Sequence, residues 1–267
     1  MSWALASADL KARWRSILAL AAGVLAFLLV LAGTYSALGG NAGIAKSLGG
    51  SNNRFFSAFA GSESADIFTP QGYLAFGFGH PLFLVLSLSL CVAMGAGAVA
   101  QDVETGRAEL LYTAPVSRTR IVVARMGALA VAEVVVLGAS AAGGLIGSTL
   151  SPSMSAVSSF VVLRILVQYI PLALLVAAAG LLASVVCRTR GAAVAATTGL
   201  VAGSYVINVI ALLWTPIASI RHVDPFFYFQ PTAAAKAVDW AHVAVLGVTA
   251  AAVLAIAVVL LGRRDLA

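Results

Sequence analysis

Charge is what this chain has least of. Only 10% of its 267 residues are Asp, Glu, Lys or Arg, whereas a soluble domain carries about 25%. So few charges cannot cover a surface in water, which excludes a soluble globular protein. Cysteine is nearly absent: Cys91 and Cys187 make no CxxC and fall in or beside apolar runs, where they read as small inert hydrophobes. The three histidines, His80, His222 and His242, are scattered at the ends of apolar runs with no metal-ligand spacing. The chain contains no GxxxxGK[ST], no HExxH and no GxSxG, so it carries no Walker A phosphate cradle, no zincin site and no nucleophile elbow. Alternating ten-residue stretches are missing too, which argues against a transmembrane barrel. The net charge of +6 does not point to nucleic acid, because the basic residues lie between the apolar runs and form no patch.

What remains is apolar. Hydrophobic residues make up 61% of the chain and the mean hydropathy is +1.01. Ala/Leu/Val runs of about 20 residues recur, each long enough for a helix to cross a 30 Å hydrocarbon core. Six spans are expected, at about 17–38, 81–100, 119–147, 164–187, 192–213 and 241–261. With both termini inside, the inner segments hold Lys11, Arg13, Arg15, Arg107, Arg118, Arg120, Arg125, Arg188, Arg190, Arg263 and Arg264, or 11 of the 16 basic residues. The outer segments hold only Lys46, Arg54, Arg164, Arg221 and Lys236 over much more chain. This is the positive-inside pattern, and Trp14, Trp214 and Trp240 stand where an aromatic belt requires them. The first run is longer than a signal-peptide h-region and ends in no small-x-small site, so it reads as a retained span. The fold class is therefore an all-α integral membrane protein with six transmembrane helices and both termini cytoplasmic. Residues 1–267 form one domain with no linker.

Two outer loops are long. Residues 39–80 carry Phe55, Phe56, Phe59, Phe68, Tyr73, Phe76 and Phe78 among Gly, Ser and Asn, the composition of an interfacial, partly helical cap. Residues 215–239 carry Pro225-Phe-Phe-Tyr-Phe. Two readings stand for that loop: a re-entrant or headgroup-level segment, or aromatics that anchor helix ends.

The most informative stretch is 101–118, Gln-Asp-Val-Glu-Thr-Gly-Arg-Ala-Glu-Leu-Leu-Tyr-Thr-Ala-Pro-Val-Ser-Arg. Three acids and two arginines between two apolar runs belong in water at a membrane surface. Gly106 and Pro115 punctuate the block, and residues 107–113 have the length for two turns of helix along the membrane face. Leu110 and Leu111 are then its apolar contacts, and Arg107 and Glu109 face water or a partner. Composition alone also fits an ordinary polar loop.

The order of residues adds to this. Asp102-x-Glu104-x-Gly106, then Leu110-Leu111, then Pro115-Val-Ser117-Arg118 resembles the ABC-2 exporter permease pattern of acid-x-acid-x-Gly, a Leu pair and Pro-hydrophobic-Ser-Arg. Asp102 stands where Glu is commoner and Arg107 where Thr is commoner. The ending Leu-Gly-Arg-Arg-Asp-Leu at 261–266 is similar to the stop that often closes these permeases. The resemblance implies an amphipathic coupling helix between spans two and three, with Asp102, Glu104, Gly106, Arg107, Glu109, Leu110, Leu111, Pro115, Ser117 and Arg118 as the ATPase-coupling loop. It implies that Lys11–Arg15 belong to a connecting helix on the inner surface. It implies a permease subunit that forms the path for ATP-driven efflux of a hydrophobic or amphipathic substrate, a drug, peptide or lipid, across a bacterial cytoplasmic membrane. The partners implied are two copies of an ABC ATP-binding subunit and a second permease, identical or related. The chain is then no enzyme and binds no cofactor, and ATP and Mg act through the partner ATPase.

Glu133 is the one ionisable residue well inside a span, eight residues beyond Arg125 and so about 12 Å deeper. A carboxyl in lipid is expensive and faces the bundle or a cavity. It either lines a transport path or is a neutral packing residue. Pro171 is expected to kink span four. The pairs Gly143/Gly147 and Gly199/Gly203 are what chance gives in a chain with 25 glycines, so they point to no interface. Two other function classes compete with the exporter: a membrane scaffold or immunity protein without an ATPase, and an ATP-independent secondary transporter. The second would show more intramembrane polar residues or paired broken helices.

Overall fold

The computed structural model describes residues 2–40, 42–43, 68–112, 117–155 and 157–264. Helices account for nearly all of them, and no strand occurs among the described residues. In chain order the α-helices are α1 (Ser2–Ala37), α2 (Pro70–Gly79), α3 (Pro81–Ala96), α4 (Ala100–Glu104), α5 (Arg107–Tyr112), α6 (Arg118–Leu150), α7 (Ser159–Val186), α8 (Arg190–Leu213), α9 (Pro225–Tyr228), α10 (Pro231–Lys236) and α11 (Trp240–Arg263). Among the described residues, α1, α6, α7, α8 and α11 are each long and apolar enough to cross a membrane.

Helices α2 and α3 are long and apolar enough to cross only as a bent pair, a broken span or a re-entrant loop. The apolar segment starts at Pro70, not at residue 81, and bends by 44° between its two halves. The cause is local. Pro81 has no N–H to donate and disfavours helical backbone at the residue before it, and His80 is accordingly extended at φ −65° and ψ 137°. Its Nδ1 then accepts the N–H of Leu82. Leu74, Ala75, Gly77 and Phe78 are buried and Tyr73 and Phe76 half-buried, so this part of the expected loop is helical and packs on the bundle. Phe55, Phe56 and Phe59 lie outside the described residues.

Helix α1 also departs from expectation. It runs unbroken for 36 residues, about 54 Å, so Lys11–Arg15 extend span one and form no separate connecting helix. It packs along the 33-residue α6. Gly143 and Gly147 make that approach possible: a Cβ on Gly143 would meet the Leu25 backbone at 3.1 Å, and one on Gly147 would meet the Ala32 Cβ at 2.8 Å. The first glycine pair thus does build a contact, within the chain, as small residues do in lipid. Nothing lies within 4 Å of a Cβ on Gly199 or Gly203. The central element is α7, which touches α3, α8, α10 and α11 and runs through Pro171 without interruption.

The segment 215–239 folds back onto the bundle. It is a 3-10 turn (Thr215–Val223) followed by α9 and α10, with Phe226, Phe229, Ala234 and Ala235 buried. Gln168, buried in α7, holds it: its Nε2 donates to the Tyr228 carbonyl at 2.9 Å and its Oε1 accepts from the Asp239 N–H at 3.2 Å. Edge-to-face rings then lead inward from this cap, Phe229 to Tyr169 to Phe83 to Phe78, with centroids 5.0–5.6 Å apart. His222 and His242, distant in sequence, meet around Phe227 and Tyr228. No group of metal-ligating side chains occurs among the described residues.

Candidate functional site

Hydrogen bonds gather seven chain segments at one end of the bundle, the end that carries most of the arginines. A helix ends with unpaired carbonyls and a negative pole, which cations satisfy. Arg118 Nη1 donates to the carbonyls of Leu261 and Arg264, at 2.7 and 2.6 Å, and so closes α11. Arg264 in turn donates to the carbonyls of Ser184, Val185 and Cys187 and closes α7. Arg125 donates to the carbonyls of Gly97 and Ala98 beyond the end of α3. Ser184 Oγ accepts the N–H groups of Val99 and Ala100, each at 2.8 Å, at the start of α4. Arg13 on α1 donates to Gln101 Oε1 at 2.9 Å. The arginines read from sequence as topology signals are thus also helix caps.

The block 101–118 is folded into this end. Asp102 does not sit in water, as its charge predicts. It is 4% exposed and bonds Arg125 Nη2 through Oδ2 at 2.5 Å. Burial pushes its carboxyl above the ordinary range, with Arg125 pulling the other way. Glu104 is exposed, yet its Oε2 accepts the N–H of Arg190, the first residue of α8, at 2.8 Å. Gly106 has φ +71°, a left-handed conformation that glycine adopts without cost after a helix. The chain then reverses into α5, six residues long, with Arg107 and Glu109 exposed and Ala108 buried. Leu110 and Leu111 fall in its second turn, their side chains outside the described part. Pro115 lies outside the described residues. Ser117 caps α6 by accepting the Arg120 N–H. Asp102, Glu104, Ser117 and Arg118 bond to other parts of the fold, and Arg107 and Glu109 are the exposed charged side chains of α5.

The second place is Glu133, midway along α6 and 7% exposed. Cys91 Sγ on α3 lies 3.5 Å from its Oε2. Tyr169 on α7 is within interaction range. Neither Glu133 Oε1 nor the Tyr169 hydroxyl makes a well-formed hydrogen bond. No arginine or lysine contacts this carboxyl among the bonds above, and Glu133 sits at a three-helix junction where it also lines an apolar pocket of about 150 Å³ with Cys91, Leu137 and Ile170, so the geometry fits a packing residue and a cavity-lining one alike. Glu133→Gln, equal in size and uncharged, is expected to change stability by less than about 1 kcal/mol, and Glu133→Lys to cost about 2.5–3.5 kcal/mol. Unfolding titrations in detergent micelles check both, and a Gln variant as damaged as the Lys variant would count against a neutral packing role.

Sequence reasoning missed the Asp102–Arg125 pair and the Arg264 cap. For the pair a signal existed: an acid just after span two and a base seven residues into span three reach similar depth.

The sequence pattern described as "ABC-2 family transporter protein" matches residues 3–266. No curated protein and no solved structure matches the chain.

Proposed function

The chain belongs to the ABC-2 transporter family, and from that premise we propose that it is the permease subunit of an exporter driven by a separate ATPase. A membrane component of an ABC transporter implies an ATPase partner, and this chain has no Walker A sequence of its own. In this reading two permeases, identical or related, enclose the path, and two ATPase subunits hydrolyse ATP with Mg. The cargo is hydrophobic or amphipathic, moved out of a bacterial cell across the cytoplasmic membrane, with the arginine-rich end facing the cytoplasm.

The observation that supports coupling is the way α5 is mounted. Its exposed charges project from a short helix whose N-terminal flank is bonded to two long helices, through Asp102 to Arg125 on α6 and through Glu104 to the first N–H of α8. A load on α5 therefore passes into both spans. When ATP closes the ATPase dimer, the load differs between two states of the bundle and shifts their populations.

The test is copurification with a coexpressed ATPase and measurement of joint ATP hydrolysis. Arg107→Glu with Glu109→Lys inverts the displayed charges without changing their sum or touching the bonds just described. It is expected to lower complex recovery and permease-stimulated hydrolysis at least about tenfold, with the permease still folded. A folded wild-type chain that recruits no coexpressed ATPase would overturn the exporter reading and favour the scaffold or secondary-transporter classes.

A further inference from the structure

A cleft of about 630 Å³ opens at the arginine-rich end between α1, the end of α3, the α4–α5 turn and the start of α8. Its charged lining is Arg13, Arg107, Arg125 and Arg190, with Asp9 and Asp102. Four guanidiniums against two carboxylates leave two positive charges uncompensated. Asp102 is already engaged by Arg125. Arg13 lies within electrostatic reach of both Arg190 and Arg125, so like charges face each other across the space. Arg125 Nε and Arg190 Nε are buried and lack a hydrogen-bond partner. Unpaired donors and crowded like charges are costly to leave buried, and an anion in the cleft relieves both.

We propose that this cleft binds a phosphate-bearing anion, and that in the membrane this is the headgroup of an anionic phospholipid. Guanidinium forks match phosphate oxygens in geometry and charge. Depth and shape favour the lipid source. Trp14, next to Arg13 on α1, is 52% exposed, which suits a tryptophan at headgroup level. The rest of the lining, including Leu5, Ala12 and Met94, is an apolar wall fit for the glycerol and first methylenes. Basic recesses between membrane helices hold anionic headgroups on this principle. The cleft touches α5 through Arg107, so a bound lipid would brace the proposed coupling element, but its binding does not require an ATPase.

Native mass spectrometry of the full chain, released from micelles supplemented with dioleoylphosphatidylglycerol or dioleoylphosphatidylcholine, tests the site. The wild-type chain is expected to retain phosphatidylglycerol preferentially. Arg13→Gln with Arg190→Gln is expected to lower that retention at least about tenfold. Arg120→Gln with Arg188→Gln removes the same charge from exposed positions and is expected to leave it unchanged. Asp9→Asn is expected to raise retention, a change of sign that misfolding cannot imitate. Displacement of the lipid by millimolar inorganic phosphate would support the site and assign it to a soluble phosphate; resistance to phosphate would support the lipid. Equal losses from the two arginine pairs, or no preference for phosphatidylglycerol together with no binding of inorganic phosphate, would overturn the proposal.

Discussion

Gly95→Leu is expected to cost about 3 kcal/mol or more, the upper end of what overpacking does. Helices α3 and α7 cross here at backbone distance. A Cβ on Gly95 would stand 2.7 Å from the Ala177 carbonyl oxygen, and one on Gly180 would stand 3.0 Å from the Ala96 nitrogen. Carbonyl and amide backbone cannot swing aside as a side-chain tip can, so the helices must separate. Separation also breaks the two bonds from Val99 and Ala100 to Ser184, one turn further along α7, and loosens the mounting of α4. In lipid no hydrophobic effect draws helices together, and close packing of small residues takes its place. Equilibrium unfolding in mixed micelles measures the loss. Gly138→Leu is the control, because nothing lies within 4 Å of a Cβ there, and it is expected to be nearly neutral. Equal effects at the two positions would refute the crossing as the source of stability.

Arg125→Met is expected to cost about 3–5 kcal/mol, the range for removing one partner of a buried ion pair. The side chains of Arg125 and Asp102 are 11% and 6% exposed, and the arginine also serves the carbonyls of Gly97 and Ala98. The methionine fills the volume but leaves a buried carboxyl and two carbonyls unserved. Adding Asp102→Asn to this variant removes the stranded charge and is expected to restore part of the loss. The same unfolding titration reads these two variants and Asp102→Asn alone, and a coupling energy near zero in the double-mutant cycle would show that the pair does not act as a unit. Charge reversal at Asp102 damages the fold directly, so loss of complex on that change would say nothing about docking, and the exposed Arg107 and Glu109 are the informative positions.

Much of the architecture was legible because the bilayer reads composition. A helix long enough to cross needs only its own residues to be apolar, and span edges follow from where polar residues return, so four of the expected spans coincide with helices to within about five residues, and the first matches at its C-terminal end. At the expected second span Pro81 reads as a helix start. It is one, but the residues before it form a second short helix on the far side of a one-residue break at His80. The helix at 107–112 was legible too, from Gly106 before it and Pro115 after it. Its relation to a partner rests on family membership and on the proposal above.

The class of protein, the long apolar helices, the segregation of basic residues and the order of motifs can all be read along the chain. These depend on sums over neighbouring residues and on spacing, which a chain carries in one dimension. What each charge does depends on the packed fold. Arg118 reads as a headgroup arginine until it is seen to close α11, 146 residues away at Arg264. Arg264 looks like a stop signal until it is seen to cap α7. Asp102 looks like a surface acid until Arg125 buries it, and Gly95 looks like one glycine among many until α7 lies against it. A guanidinium has no preferred partner along the chain. Its partner is whichever carbonyl or carboxylate the packing of apolar helices brings within about 3 Å, and that packing is set by where small residues on different helices meet.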